Sequence, residues 1–427
     1  MFSLGRYFCL FSLCFIFCGR IVFAAQGREF SLQECFNLAL ERSTSVGISA
    51  DQVAQAEAKI QQAKSAYLPT LSLQANTTQQ AESTNSLAKN LSATHQSSSN
   101  LNLSQNLFQG FKDVESLRQR RNIRVSAEWA RKQAVQQLYK DVADSYFSIL
   151  SYRSDILQYR EQIVSTTERK EELKAAKRSG RARDSDILTI ESLIANLEAT
   201  IARSEGLAAG FQEKFTYLTG LPSDVSLVND MSIPSSLTSV ETWLARSEQR
   251  PDIQQAKSTV VASSYGIKVA RSGYYPTLGL SANYYLSRPT GIFQGVNWDT
   301  SLSLSFPFFS GGVTRAEVNE ASSIFHSNEL LLQQTQELAR QSIRTLFRVV
   351  QSDLEQFAGF QKSSRLSQQS YRLVHRDNQL GTATNSDVLS ALQQWQESKR
   401  SLERARITTL YDYSQLRVES SQLTLYE

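Results

Sequence analysis

The sequence predicts a mainly helical chain with a smaller share of β-structure, built from two copies of one unit, each holding two strands and a set of long helices. Three observations predict it. Glycine and proline are scarce, 18 and 7 among 427 residues, so long uninterrupted elements are expected. A set of motifs returns in unchanged order after about 200 residues, the mark of a duplicated architecture. Two hydrophobic spacings alternate along the chain, a three-four repeat that belongs to helices and a two-residue repeat that belongs to strands.

The first 25 residues have a basic start at Arg6, an apolar run from Tyr7 to Phe17, and small residues Ala24 and Ala25. That is the layout of a secretory signal peptide, cut near Ala25 or Gln26. Three of the four cysteines, Cys9, Cys14 and Cys18, lie in this leader, so the exported chain keeps Cys35 and forms no internal disulfide. Phe17 stands where lipoprotein processing wants a small residue before Cys18. No later segment offers about 18 consecutive apolar residues, so a membrane can be entered only by strands.

The first repeat runs over 26–220. A helix over 30–67, about 55 Å long at 1.5 Å per residue, ends before Pro69, which opens a strand carrying Leu71, Leu73 and Ala75 on alternate positions. The tract 77–100 is Ser, Thr, Asn and Gln with almost nothing to bury, and is expected to be a solvated loop. A second strand follows through Leu101, Leu103 and Leu107. From 111 to 179 no proline or glycine intervenes, which gives a helix of about 105 Å. Within it Val135, Leu138, Val142, Ser145 and Ile149 step by four and three, the spacing of a coiled-coil seam. A turn at 180–186 leads into a helix over 184–219.

Residues 221–250, with Pro222 and Pro234, hold at most a short helix at 240–245 and read as an equatorial linker, a belt outside the helical body. The second repeat, 251–427, follows the first in order. A helix over 251–275 ends before Pro276; strands carry Leu278, Leu280, Ala282 and Tyr284, then Leu302, Leu304, Phe306 and Phe308; long helices cover 312–380 and 386–425, joined by a turn at 381–387. In each repeat the two shorter helices together match the long one in length, so one continuous helix lies beside two stacked pieces.

Four strands cannot close a membrane barrel, because the smallest closed barrels have about eight, and an open edge in lipid leaves backbone groups unsatisfied. Several chains must therefore share one barrel. Two would give about eight strands with a filled interior, and three about twelve with a channel. The residues leave that count open. A net charge of +4 and a pI near 8.7 are too mild to point to nucleic acid.

Ser31-Leu32-Gln33-Glu34 with Ala39-Leu40, Tyr67-Leu68-Pro69-Thr70-Leu71, Asn106-Leu107-Phe108-Gln109-Gly110, Phe308-Phe309-Ser310-Gly311-Gly312, and Gly381-Thr382 through Ser386-Asp387-Val388-Leu389 resemble the TolC family of outer-membrane efflux and secretion channels along the whole mature chain. The resemblance implies a homotrimer sharing a twelve-stranded outer-membrane β-barrel, continued by a periplasmic α-helical coiled-coil barrel. It implies a passive exit duct of a tripartite efflux pump or type I secretion system, working with a periplasmic adaptor and an inner-membrane pump. A periplasmic coiled-coil adaptor or scaffold is the alternative; it would share the signal peptide and long helices, but paired strands in each of two repeats argue against it.

The turns at 180–186 and 381–387 lie farthest from the strands and form the inner mouth. Gly180 and Gly381 suit the left-handed residue that ends a long helix. Ser185 and Ser386 are expected N-caps, with Asp186 and Asp387 favouring the positive start of the following helix. Capping is one reading of these residues. The resemblance supplies another, in which Asp387 matches an aspartate that lines the closed entrance, so three copies form an acidic ring favouring cations. The family's further aspartate and its arginine fall here at Ser390 and Ala383, which implies a less acidic constriction held shut differently. Arg181 and Arg183 are candidates to pair with Asp387 across a subunit boundary.

Arg118, Arg120, Arg121 and Arg124 are placed either to meet phosphates of outer-membrane lipid or to form a solvated helix face. Tyr284, Tyr285, Phe293, Trp298, Phe306, Phe308 and Phe309 cluster around the third and fourth strands, placed either as part of an interfacial girdle or as simple core packing, with the strand assignment favouring the girdle. His95, His326 and His375 lie far apart, and no Ser or Asp sits in a nucleophile-elbow pattern. No catalytic residue, metal ligand or cofactor is read.

Overall fold

The computed structural model describes residues 29–79, 81, 95–178, 180, 182–288 and 295–422. The leader over 1–25, Arg181 and Phe293 lie outside the described residues. In order, the chain forms β1 (Glu29–Phe30), α1 (Leu32–Arg42), α2 (Thr44–Ser65), β2 (Thr70–Gln79), β3 (His95–Gln109), α3 (Lys112–Arg178), α4 (Asp184–Thr219), β4 (Ser226–Leu227), α5 (Val240–Leu244), α6 (Pro251–Arg271), β5 (Thr277–Ser287), β6 (Trp298–Ser305), α7 (Val313–Gln379) and α8 (Asn385–Glu419). The helices α3 and α7 each run 67 residues, or about 100 Å.

The single helix expected over 30–67 is instead two. Ser31 and Glu34 form a capping box that starts α1, the Glu34 carboxylate accepting from Ser31 N at 3.0 Å and Ser31 Oγ from Glu34 N at 3.3 Å. Ser43 then leaves the helical region (φ −64°, ψ 111°), and its hydroxyl accepts from Val46 N to start α2. Three hydroxyl residues in a row, Ser43-Thr44-Ser45, offer the backbone a non-helical partner, and the helix breaks there.

Helix α3 lies between two stacked pairs. It packs on α2 and α4 on one side and on α6 and α8 on the other, and α7 packs on α6 and α8. The layer thus has α2 and α4 at one flank and α7 at the opposite flank. The seam residues Val135, Leu138, Val142, Ser145 and Ile149 are buried. Where α1, α3, α4 and α8 meet, Phe36, Tyr146, Phe147, Phe215 and Leu410 form the main core with Val225 from the linker. Tyr146 donates its hydroxyl hydrogen to the carbonyls of Phe30 and Val228, binding β1 and the linker to α3. A second, smaller core joins Trp243 of α5 to Ile343 and Val350 of α7 and Leu416 of α8.

The four long strands make one antiparallel sheet in the order β2-β3-β5-β6. Pro69 and Pro276 stand directly before β2 and β5, where a missing amide hydrogen ends the preceding helix without removing a ladder bond. The solvated-loop reading of 77–100 is corrected: pairing continues through Thr77↔Ser97 to Gln79↔His95, so the ladder outruns its apolar stretch and leaves 80 and 82–94, outside the described residues, between the strands. Backbone pairing needs no apolar side chains where both faces meet water. Strand β6 stops at Ser305 rather than reaching Phe308, because Pro307 interrupts the ladder. Helix α8 ends at Glu419, short of 425.

Candidate functional site: a lipid-facing sheet and two helical tips

Residues directly opposite one another in a ladder share a face. The registers therefore place Leu71, Leu103 and Ala282 in one row, Leu73, Leu101, Tyr284 and Trp298 in the next, and Leu278 with Leu304 and Leu280 with Leu302 beyond. This apolar face is open: Leu71 is 69% exposed and Leu304 71%. The opposite face is polar. Asn283 Oδ1 accepts from Asn102 at 2.8 Å and Asn100 at 3.1 Å, and its amide donates to Asp299 at 2.9 Å, a chain of hydrogen bonds across three strands. Strands β2 and β6 have no further strand beside them among the described residues. A sheet with one apolar face, one polar face and two unpaired edges is a segment of a closed barrel in lipid.

Aromatic residues border this band. Trp298 and Tyr284 are exposed, and Phe308 and Phe309, just past β6, are 89% and 90% exposed. Near the start of α3 two of the four arginines have partners within the chain: Arg118 pairs with Glu115 at 2.7 Å, and Arg124 with Glu57 at 2.9 Å and Glu128 at 2.8 Å.

The tips lie at the far end of the helices. Gly381 has φ 80°, its amide donates to Asn378 O at 3.0 Å, and the Thr382 amide reaches back to Asp377 O at 2.9 Å. These two bonds are a Schellman termination, and a Cβ at that φ would be strained. Gly180, with φ 72°, stands in the left-handed region just past α3, its amide donating to Lys177 O at 2.9 Å. Lys177 also pairs with Asp184 across the turn.

The N-cap assignment to Ser185 and Ser386 is corrected. The caps are Arg183 and Thr384, two positions earlier, and both serines lie in the first helical turn. Asp387 closes a capping box: Thr384 Oγ1 accepts from Asp387 N at 3.2 Å, while the Asp387 carboxylate accepts from Thr384 N at 2.9 Å and from its hydroxyl at 2.7 Å. The Thr384 side-chain and backbone hydrogen bonds hold the Asp387 carboxyl below its ordinary range. Asp186 accepts from Arg183 N at 3.4 Å and from the Asn385 amide of the other tip at 3.2 Å. Ser390 is exposed on α8. Among the described residues Arg183 and Asp387 make no ion pair within the chain, and Arg181 is outside them.

Sequence reasoning missed the residue that ties the tips together. Arg169 of α3, with only 7% of its side chain exposed, donates to Asn378 Oδ1 and Asn385 Oδ1, both at 3.1 Å, and pairs with Glu172 at 2.6 Å. Asn378 in turn donates to Ala383 O at 2.8 Å. Thus one guanidinium from the first hairpin holds the second hairpin's turn. The signal was an arginine between Thr166 and Leu173 on the buried side of α3.

The outer membrane efflux protein family profile matches residues 35–208 and again 246–418. The chain belongs to this outer membrane efflux protein family. The antibiotic efflux pump outer membrane protein ArpC of Pseudomonas putida is 23% identical over 300 residues, 67% of this chain and 60% of that protein. Outer membrane protein TolC of Escherichia coli (strain K12) is 26% identical over 203 residues, 44% of this chain and 41% of TolC. The chain thus spans less than two thirds of the length of either curated relative. The fold extends further than the sequence match: the outer membrane protein VceC from Vibrio cholerae superposes with a TM-score of 0.79 at 17% identity, over 91% of this chain and 95% of VceC. As a member of this family the chain is an outer-membrane protein, its sheet the part suited to lipid. No helix of the described residues is long and apolar enough to cross a membrane, and among them no group of three or more His, Cys, Asp or Glu side chains is arranged to hold a metal.

Proposed function

We propose that three copies of the chain close one twelve-stranded barrel in the outer membrane and one helical barrel beneath it, forming the passive exit duct of a tripartite efflux pump or type I secretion system. A periplasmic adaptor and an inner-membrane pump load it, and outer-membrane lipid surrounds its sheet. Residues 26–220 and 251–427 act as two repeats, with 221–250 an equatorial linker; the family profile's double match supports that division. The tips form the inner mouth, Asp387 of three copies making an acidic ring and Arg183 of one copy pairing with Asp387 of the next.

The sheet carries this reading. Its apolar face is bare, its polar face is hydrogen-bonded to itself, and both edges are open, so a lone chain would leave backbone groups unsatisfied in lipid. The test uses the full-length protein extracted from outer membranes in mild detergent. It is expected to run as a trimer on gels until heated, and to conduct ions when added to a planar bilayer. A monomer that does not conduct would overturn the reading.

A further inference from the structure

Four glycines inside helices face open space: Gly47 on α2, Gly206 and Gly210 on α4, and Gly359 on α7. A Cβ added at any of them would meet nothing within 4 Å, and none has a backbone that favours glycine. Glycine is the poorest helix former after proline, so within one chain these positions have no reason to keep it. They lie on the two flanks of the helical layer, α2 and α4 on one and α7 on the other.

The flanks also carry matched patterns. On α7 an exposed column repeats every seven residues from Ile324. It is leucine at 331, 338, 366 and 373, and it turns small at Thr345, Ser352 and Gly359. On α4 an exposed column of Ala195, Ala199, Ala202, Gly206 and Ala209 steps by four and three, roughly half a turn around the helix from buried Ile190 and Leu197. Each column is therefore an unoccupied coiled-coil seam.

Their heights agree. The bond between Asp186 and Asn385 sets both tips at one level, and α4 rises from there while α7 descends to it. At 1.5 Å per residue Gly206 stands about 33 Å above the start of α4 and Gly359 about 30 Å above the end of α7. By the same measure Leu366 stands about 20 Å up, level with the gap between Ala195 and Ala199.

We propose that α7 of one copy packs antiparallel against α4 of the next, with closest backbone approach where Gly359 meets Gly206 and with Leu366 seated between Ala195 and Ala199. The inference rests on the trimeric duct. The open sheet edges name the occupant: α2 leads directly into the edge strand β2 and the edge strand β6 leads directly into α7, so the copy that pairs with β6 is also the copy beside α7.

Gly359→Leu and Gly206→Leu test it in the full-length protein. Within the chain both leucines have room and improve helix propensity, so helical circular dichroism is expected to be unchanged. At each copy boundary the added side chain overpacks the seam, and the heat-sensitive trimer band is expected to fall about tenfold. In a second arm, Gly206→Cys combined with Gly359→Cys is treated with a copper–phenanthroline oxidant; Cys35, the one cysteine among the described residues, is buried. Chain-to-chain crosslinks in the double variant and none in either single variant are expected, since a disulfide needs Cα atoms within about 7 Å. Normal trimers from both leucine variants, with no crosslink, overturn the seam alone. A wild-type chain that runs as a monomer overturns the seam and the duct together.

Discussion

Stability below the equator should depend on one proton. Asp353 of α7 and Asp412 of α8 face each other in the groove between the two helices. Burial, then the charge of Asp353 and its hydrogen bond, push the Asp412 carboxyl up to about 7, and burial also raises Asp353. Asp353 Oδ2 is buried without a hydrogen-bond partner. Arg404, which lines the pocket beside Asp353, is already paired with Asp155 at 2.6 Å. A carboxyl whose folded value exceeds its unfolded value binds more protons in the folded state, so its stabilisation is full below the unfolded value and lost as pH rises through the folded one. The window is therefore from the ordinary 3.8 up to about 7. A displacement of that size corresponds to about 4 kcal/mol of preference for the protonated form. Water reaches part of the pair, and screening cuts the effect on folding to roughly 1–2 kcal/mol. Asp412→Asn keeps a neutral hydrogen-bond donor and removes the titration. By differential scanning fluorimetry the variant is expected to exceed the wild type by a few degrees at pH 8, above the window, and by a clearly smaller margin at pH 5, in its lower part, since about 1 kcal/mol moves the melting temperature of a large domain by a few degrees. An equal difference at both pH values would refute the shared proton.

Arg169→Ala removes the hydrogen bonds to Asn378 and Asn385; hydrogen bonds to a charged group contribute about 1.5–3 kcal/mol, so the tips should loosen. Single-channel conductance is expected to rise, and unchanged conductance would separate Arg169 from the closed state. Deleting 82–94, which lies beyond the paired ladder ending at Gln79↔His95, should leave trimers intact. A protease site inserted there is expected to be cut on intact cells; cutting only after the outer membrane is permeabilised would reverse the topology. Asp387→Ala should lower the preference for cations over anions in a planar bilayer with trimers unchanged in amount.

Long-range order was legible where composition decides it. With no glycine or proline between 112 and 178, nothing local could end α3, and the structure stops it within a residue of the expected bounds. The seam of α3 was legible for the same reason, since its three-four spacing survives every substitution of one apolar residue for another. Boundaries set by hydrogen-bonded side chains were harder. The break at Ser43 depends on a hydroxyl choosing Val46 N over solvent, and a helix of that composition could continue. The far end of the hairpin depends on backbone pairing between residues such as Thr77 and Ser97, whose side chains look like loop.

The tip shows how a correct motif can be given the wrong position. Thr384-Asn385-Ser386-Asp387 is a capping box, with the acid three residues after the cap; choosing Ser386 as cap ignored that spacing. The correction also joins the two readings of Asp387. The bonds from Thr384 that cap α8 are the bonds that hold Asp387 ionised, so the helix start maintains the charge a ring would use. Asp387→Ala therefore removes cap and charge together. Asparagine separates them, because its carbonyl can still accept from Thr384 N while the charge is gone. With Asp387→Asn, the ring reading expects lost cation preference at unchanged trimer stability. Retained cation preference would leave Asp387 as a cap alone, and would move the search for the selective constriction to other exposed groups of the tips.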